Sequence, residues 1–436
     1  MTKFSQHFNI NKTQPELDFV DIDTDKDTPL FVDPFAISLQ DNEWSRKCNH
    51  HINSFFDTVI DHLKNGKHEE SAKLLNGLSE PNETCLGISR GAPSGRGVSG
   101  KQALDLNDKL SKSQAARTGL LSELAECDLF VEGIGRDKIS DITTNIIREL
   151  LIHYTQDQCD LHNVTITGTV ASGKLWDVDN QKWTEKHVRL PIIGDKKLLL
   201  VPKSIVRRSL SLESHEFYNH HVLNFLQEEN LQAHSSLVEV LKNGKRRVTK
   251  KTLKACHPFN KDWLADFTKQ HPEVLQRYKE DLSSKHKQQG LSNEDFDEEF
   301  DENAFANSLT ASLDNIPTGN EDADRFHSFI VGILEFLFWP NLIYPKKEHP
   351  IHNGRKRIDV TFTNAAENGF FYRVHTAHNV ASNLVMVECK NYSADLSNPE
   401  LDQLSGRFST NRGKLGLLVY RDVSDYTKLI KRCKDT

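Results

Sequence analysis

The chain has 436 residues, more than one ordinary domain holds, and 37% of them are hydrophobic, enough for a sizeable core. The longest strongly apolar stretch, 329–339, is interrupted by Glu335 and falls far short of the ~20 residues that span a bilayer, so no membrane segment is expected. The net charge of −7 excludes a basic footprint spread over the whole chain, and seven cysteines with no CxxC pair argue against a disulfide framework or a zinc ribbon. The opening residues MTKFSQHFNINK carry no apolar signal core, and a cytoplasmic location is expected.

Residues 1–290 read as an α+β region of unassigned fold, divisible into 1–160 and 161–290. Residues 19–35 read as a β-hairpin or paired strands, 52–63 have helical spacing, and 87–101 form a glycine-rich loop. Ser140 is the expected cap of a helix in which Ile142, Ile146, Leu150 and Tyr154 recur every four residues. Three strand-like segments follow between 163 and 206, and 215–288 reads as helical.

Four features of this half invite functional readings. Gly95–Lys101 and Gly168–Lys174 both fit GxxxxGK, but Gln102 and Leu175 stand where a magnesium-binding Ser or Thr belongs. A phosphate loop also needs a helix N-terminus, and the residues after Lys174 read as a hairpin; turns account better for both. Asp21, Asp23, Asp25 and Asp27 are spaced like a calcium loop without its glycine and glutamate. Cys48 with His50 and His51, and Cys159 with His162, read as packing or surface groups. The basic run 242–254, in which Thr249 could cap a helix bearing Lys250, Lys251 and Lys254, suits phosphate contact or a solvated face.

Residues 293–302 hold seven acids and no base, which accounts for the whole net charge. With the polar stretch after it, this block reads as an acidic linker over 291–319.

From 320 the pattern carries chemistry. Residues 323–339 read as a helix that is apolar almost all round, hence buried. Glu335 sits in its middle and should face a cation or donor, or else lie in water at the helix edge. RKRIDVTF reads as a strand carrying Asp359, followed by a hairpin-like excursion at Asn368-Gly369. In NLVMVECKNY the period of two puts Glu388 and Lys390 on one face, about 7 Å apart, with the Cys389 side chain on the other. Two charges closing an apolar strand suit a site. Phosphodiester hydrolysis needs a hard cation held by oxygen, which Asp359, Glu388 and the Cys389 carbonyl can supply, and a lysine to orient water or move a proton. A further helix is expected, capped by Asn398 with Pro399 in its first turn. Leu401, Leu404 and Phe408 line its buried side, and Gln403 and Arg407 share a flank. GKLGLLVYRD reads as the next strand.

Asp359 followed by Glu388-Cys389-Lys390, in that order of elements, resembles the PD-(D/E)xK nuclease superfamily over residues 320–436, with Ile358 where the motif's name has proline. The resemblance implies a restriction-endonuclease-like α/β domain, a mixed sheet flanked by helices. It implies Mg2+, with Mn2+ as substitute, held by Asp359, Glu388 and the Cys389 carbonyl, with Glu335 assisting. Asp359, Glu388, Lys390 and Gln403 become the expected catalytic set. Arg355, Lys356, Arg357, Arg407, Arg412 and Lys414 become expected phosphate contacts. The function implied is a DNA endonuclease of prokaryotic anti-phage or restriction-type defence. DNA is the expected partner, with a second defence protein or a second copy of the chain as further candidates. The alternative is a nucleic-acid-binding or partner-binding regulatory protein with an inactive nuclease fold.

Overall fold

Two hydrophobic cores organise the chain in the computed structural model, which describes residues 2–88, 100–286, 290–351, 356–409, 413–421 and 423–435, without the side chains of 100–102, 285–286, 348–351 and 356–359. The first core runs from Phe4 to Leu291 and also takes in Ile343 and Tyr344. The second joins Ile316, Phe326, Val360, Phe362, Val385 and Val387 and takes in Leu161 from the other half. The two cores therefore interlock. The architecture is mixed α/β, with many helices, one four-stranded sheet and several two-stranded ladders. Among the described residues no helix is long and apolar enough to cross a membrane.

In the N-terminal part, β1 (Phe31–Val32) is the only named strand within 19–35; the rest of that segment is extended, with Phe19 bridging Pro202. Helix α1 (Glu43–Lys64) starts at Asn42, whose side chain accepts from the Ser45 N–H at 2.9 Å. Ser140 is not a helix cap. Helix α2 (Arg136–Ile146) begins four residues earlier, after Gly135, and the Ser140 hydroxyl is drawn off to accept from the Val32 N–H at 2.9 Å. The chain bends at Ile147 and continues as α3 (Arg148–Leu161). Strands β2 (Leu175–Asp177) and β3 (Lys182–Thr184) pair as the expected hairpin, so Gly168–Lys174 leads into a strand and meets no helix N-terminus. Strand β4 (Val206–Arg207) pairs antiparallel with β1. Helices α4 (Lys250–Cys256), α5 (Lys261–Gln270) and α6 (Pro272–His286) follow. Thr249 does cap α4, accepting from the Thr252 N–H at 3.1 Å.

The other candidate motifs are spent locally. Asp21 accepts from the Ser5 backbone and hydroxyl at 2.9 and 2.8 Å, and Asp23 from the Asp25 N–H at 2.9 Å. Cys48 and Cys159 are core residues. Among the described residues no group of three His, Cys, Asp or Glu side chains could hold a metal ion. Residues 89–99, most of the glycine-rich loop, lie outside the described residues.

The segment that reads as a linker contains α7 (Glu302–Asp314), capped by Asp301, whose side chain accepts from the Ala304 N–H at 2.9 Å. Its charge obscures a stripe at four-residue spacing: Phe305 meets Phe336 with ring centroids 5.0 Å apart, and Leu309 is buried.

The C-terminal part runs α8 (Ala323–Phe338), β5 (Leu342–Ile351), β6 (Lys356–Asn364), α9 (Gly369–Thr376), β7 (Leu384–Lys390), α10 (Asn398–Ser405), β8 (Leu415–Tyr420) and α11 (Tyr426–Asp435). Residues 369–376 are thus helical where a hairpin-like excursion is expected. The sheet order is β5-β6-β7-β8; β7 pairs antiparallel with β6 and parallel with β8. Helix α8 covers the face bearing Val385 and Val387, and α10 covers the face bearing Met386. Each fully buried apolar side chain of this sandwich contributes roughly 1.5–3 kcal/mol. The α10 side is close: a Cβ on Gly416 of β8 would lie 2.8 Å from a Leu404 methyl. In β5 the register shifts between Ile343 and Lys346, and Tyr344 takes φ +53°. That bulge turns Tyr344 out of the sheet and into the N-terminal core.

Candidate active site

Strand β7 alternates as its sequence requires: Val385, Val387 and Cys389 pack toward α8, while Met386, Glu388 and Lys390 face α10. Glu388 is 1% exposed. A buried carboxylate is costly unless charge and hydrogen bonds compensate it. Lys390 Nζ donates to Glu388 Oε1 at 2.7 Å, and Arg407 Nη1 donates to Oε2 in a short contact. Lys390 Nζ also donates to Gln403 Oε1 at 3.3 Å. Three of the expected residues, Glu388, Lys390 and Gln403, are therefore brought together.

Helix α10 aims this flank. Its cap is Ser397, one residue before the expected Asn398: the Glu400 carboxylate accepts from the Ser397 backbone and hydroxyl at 3.0 and 2.8 Å. Burial pushes the Glu400 carboxyl up, but the Ser397 hydrogen bonds and the Lys390 charge outweigh it and hold it below its usual range.

Asp359 belongs to β6, whose ladder with β7 sets Val360 opposite Val387. Asp359 and Glu388 are the next residues along their strands. The side chains of Asp359, Lys356 and Arg357 lie outside the described ones, as do Arg355 and Arg412 altogether. Lys414 is exposed.

Two expectations need correction. Arg407 is no surface phosphate contact; it is 4% exposed and engaged with Glu388. Glu335 is not near this cluster. It lies on α8, across the sheet from Glu388, and is turned to the N-terminal part, where Lys12, Lys203 and Asp18 act on its charge. Among the described residues both its oxygens lack a hydrogen-bond partner, and burial, reinforced by Asp18 and offset by Lys203 and Lys12, holds the carboxyl well above its usual range. Lys12 and Lys203 act on its charge without a hydrogen bond to either oxygen among the described residues. Gly332 permits the approach, since a Cβ there would lie 2.5 Å from Lys12 Nζ. Sequence reading missed Lys203 and Asp18. Their signal was a charge inside an apolar run, LLLVPKSIV and LDFVDI.

Comparison with known proteins gives a family model described as "Domain of unknown function (DUF8370)", matching residues 9–213. The "Putative transposon gamma-delta 80.3 kDa protein" of Escherichia coli K12 is 32% identical over 120 residues, 28% of this chain. The match spans only 17% of that protein. No solved structure matches.

Proposed function

We propose that the chain is a metal-dependent nuclease that hydrolyses phosphodiester bonds, a DNA endonuclease of prokaryotic anti-phage or restriction-type defence. Its site lies in a restriction-endonuclease-like C-terminal domain. The observation that carries the reading is the Glu388–Lys390–Gln403 cluster on one face of β7's end, with Asp359 next in line on β6. The sheet, with α8 on one face and α10 on the other, supports it. The E. coli relative's printed link to a transposon is in keeping with a DNA setting. A cytoplasmic location goes with the same reading, and cutting both strands calls for a second copy or a second defence protein.

The residues fit Mg2+ in their chemistry, two carboxylates and the Cys389 carbonyl, all hard oxygen donors. Asp359 and Glu388 would hold it. Bound there, the cation would neutralise a phosphate and acidify a water. Lys390, positioned by Gln403, orients that water and holds or passes its proton. The cation would also take over the charge balance that Arg407 and Lys390 give Glu388.

The test is a cleavage assay with Mg2+ or Mn2+ on linear, circular and single-stranded DNA. Wild type cleaves, whereas Lys390→Ala and Glu388→Gln, shown folded by circular dichroism, lose at least a hundredfold of the rate. Undiminished cleavage in either variant removes the assignment.

A second reading, a regulatory protein with a silent nuclease fold, is favoured by one observation: Glu388 is already fully paired. Calorimetric titration with Mn2+ separates the two. Binding that Glu388→Gln abolishes supports the enzyme, and no binding supports the silent fold.

A further inference from the structure

Arg207 of β4 is a buried cation that makes no direct ion pair among the described residues. It is 8% exposed, and among the described residues no carboxylate pairs with it within salt-bridge distance. Its Nη1 donates to the Ser204 and Val206 carbonyls at 3.2 and 2.7 Å, while its Nε has no hydrogen-bond partner among the described residues. Asp33, whose charge acts on it, accepts instead from the Phe35 N–H at 2.9 Å and the Ser211 N–H at 3.0 Å. Buried arginines are ordinarily paired, because leaving the charge uncompensated costs several kcal/mol.

Arg207 lines a cavity of about 180 Å³ between the two parts of the molecule. Gln40 fixes one wall, donating to the Ser204 carbonyl at 3.1 Å and accepting from the Ser45 hydroxyl at 2.9 Å. Asn341 and the exposed Asn368 stand at the rim, and their side-chain amides form no hydrogen bond among the described residues. Glu367 also lines it but holds an interaction of its own. The cavity has room for a phosphate and opens to solvent beside the exposed Asn368, so a larger ligand seats its phosphate inside and leaves the rest at the mouth. Seams between structural units are where such sites concentrate.

We propose that this cavity binds a small phosphate ester of mononucleotide class, its phosphate on the Arg207 guanidinium and its sugar hydroxyls or base edge on Asn341 and Asn368. A guanidinium matches phosphate oxygens in a planar fork, and free amides match the donor and acceptor groups of a nucleoside. The proposal stands independently of the nuclease reading.

The experiment is titration calorimetry with thermal unfolding on the full chain, with dAMP, inorganic phosphate and succinate as probes. dAMP is expected to bind and raise the melting temperature, phosphate to bind at least tenfold more weakly, and succinate not to bind at millimolar concentration. Arg207→Gln weakens dAMP at least tenfold. The Asn341→Ala, Asn368→Ala double variant, altered only at the rim, brings dAMP down to the phosphate affinity and decides the matter if Arg207→Gln does not fold. No dAMP binding at millimolar concentration, equal affinity for phosphate and dAMP, preference for succinate, or full dAMP affinity in the double variant each overturns the proposal.

Discussion

Arg407 and Glu388 lie 19 residues apart in sequence and meet with both side chains almost out of solvent. Removing one member strands the other, so Arg407→Met should cost about 3 kcal/mol in chemical denaturation. The Glu388→Leu, Arg407→Met double variant should lose less than the single one. In the nuclease reading Mg2+ recovers part of the Arg407→Met loss, because a cation again faces Glu388. His162 gives a second test. Burial, reinforced by Lys12, takes its imidazole from the usual 6.5 down to about 3. Between those values the unfolded chain binds the proton and the folded chain does not, so stability falls as pH drops through 6.5 toward 3. Glu335, held above its usual range, acts in the opposite sense. The comparison is therefore wild type against His162→Gln: the variant's melting temperature should fall less between pH 7 and 5. Local rules made much of the site legible. Glu388 and Lys390 share a face by the strand's period of two, and Gln403 follows from helical spacing. The partners of Arg407 and Glu335 depend on chain folding over 19 and some 300 residues, which no local period encodes.

At the scale of elements, α10 holds the site's geometry through its first turn. Glu400→Ala removes both hydrogen bonds to Ser397 and should cost about 1 kcal/mol. Because Gln403 and Arg407 follow on the same segment, a nuclease should lose activity in this variant with little change in its far-ultraviolet spectrum. Helix α7 shows how composition can hide element type. Seven acids dominate the composition just before and at its start, while its apolar stripe is one residue wide. Ser140 and Asn398 show the related limit: a good capping residue near a helix start does not fix which turn comes first, and Val32 and Glu400 decide it by taking part themselves.

On the scale of the whole molecule, the two parts are not separable lobes. Tyr344 donates its backbone N–H to Asp18 at 3.1 Å and shares a 2.9 Å hydrogen bond with the Ser204 hydroxyl. Lys12 Nζ donates to the Ser328 carbonyl at 2.6 Å, and Gln158 to the Pro345 carbonyl at 3.1 Å. Glu335, Lys12, Asp18 and Lys203 balance one another only when both parts are present. The full chain should therefore unfold in a single calorimetric transition, and a 290–436 fragment should show no cooperative transition of its own. Two separate transitions in the intact chain would contradict this.

The bulge at Tyr344 also bears on self-association. Strand β5 is one edge of the four-stranded sheet, and an open edge invites another chain's strand. The interrupted ladder at 343–346 and the packing of α3 against β5 make that edge a poor template. Of this sheet's two edges among the described residues, β8 is the regular one, so strand exchange through this sheet, whether ordered assembly or misfolding at high concentration, is steered to the side that carries Tyr420.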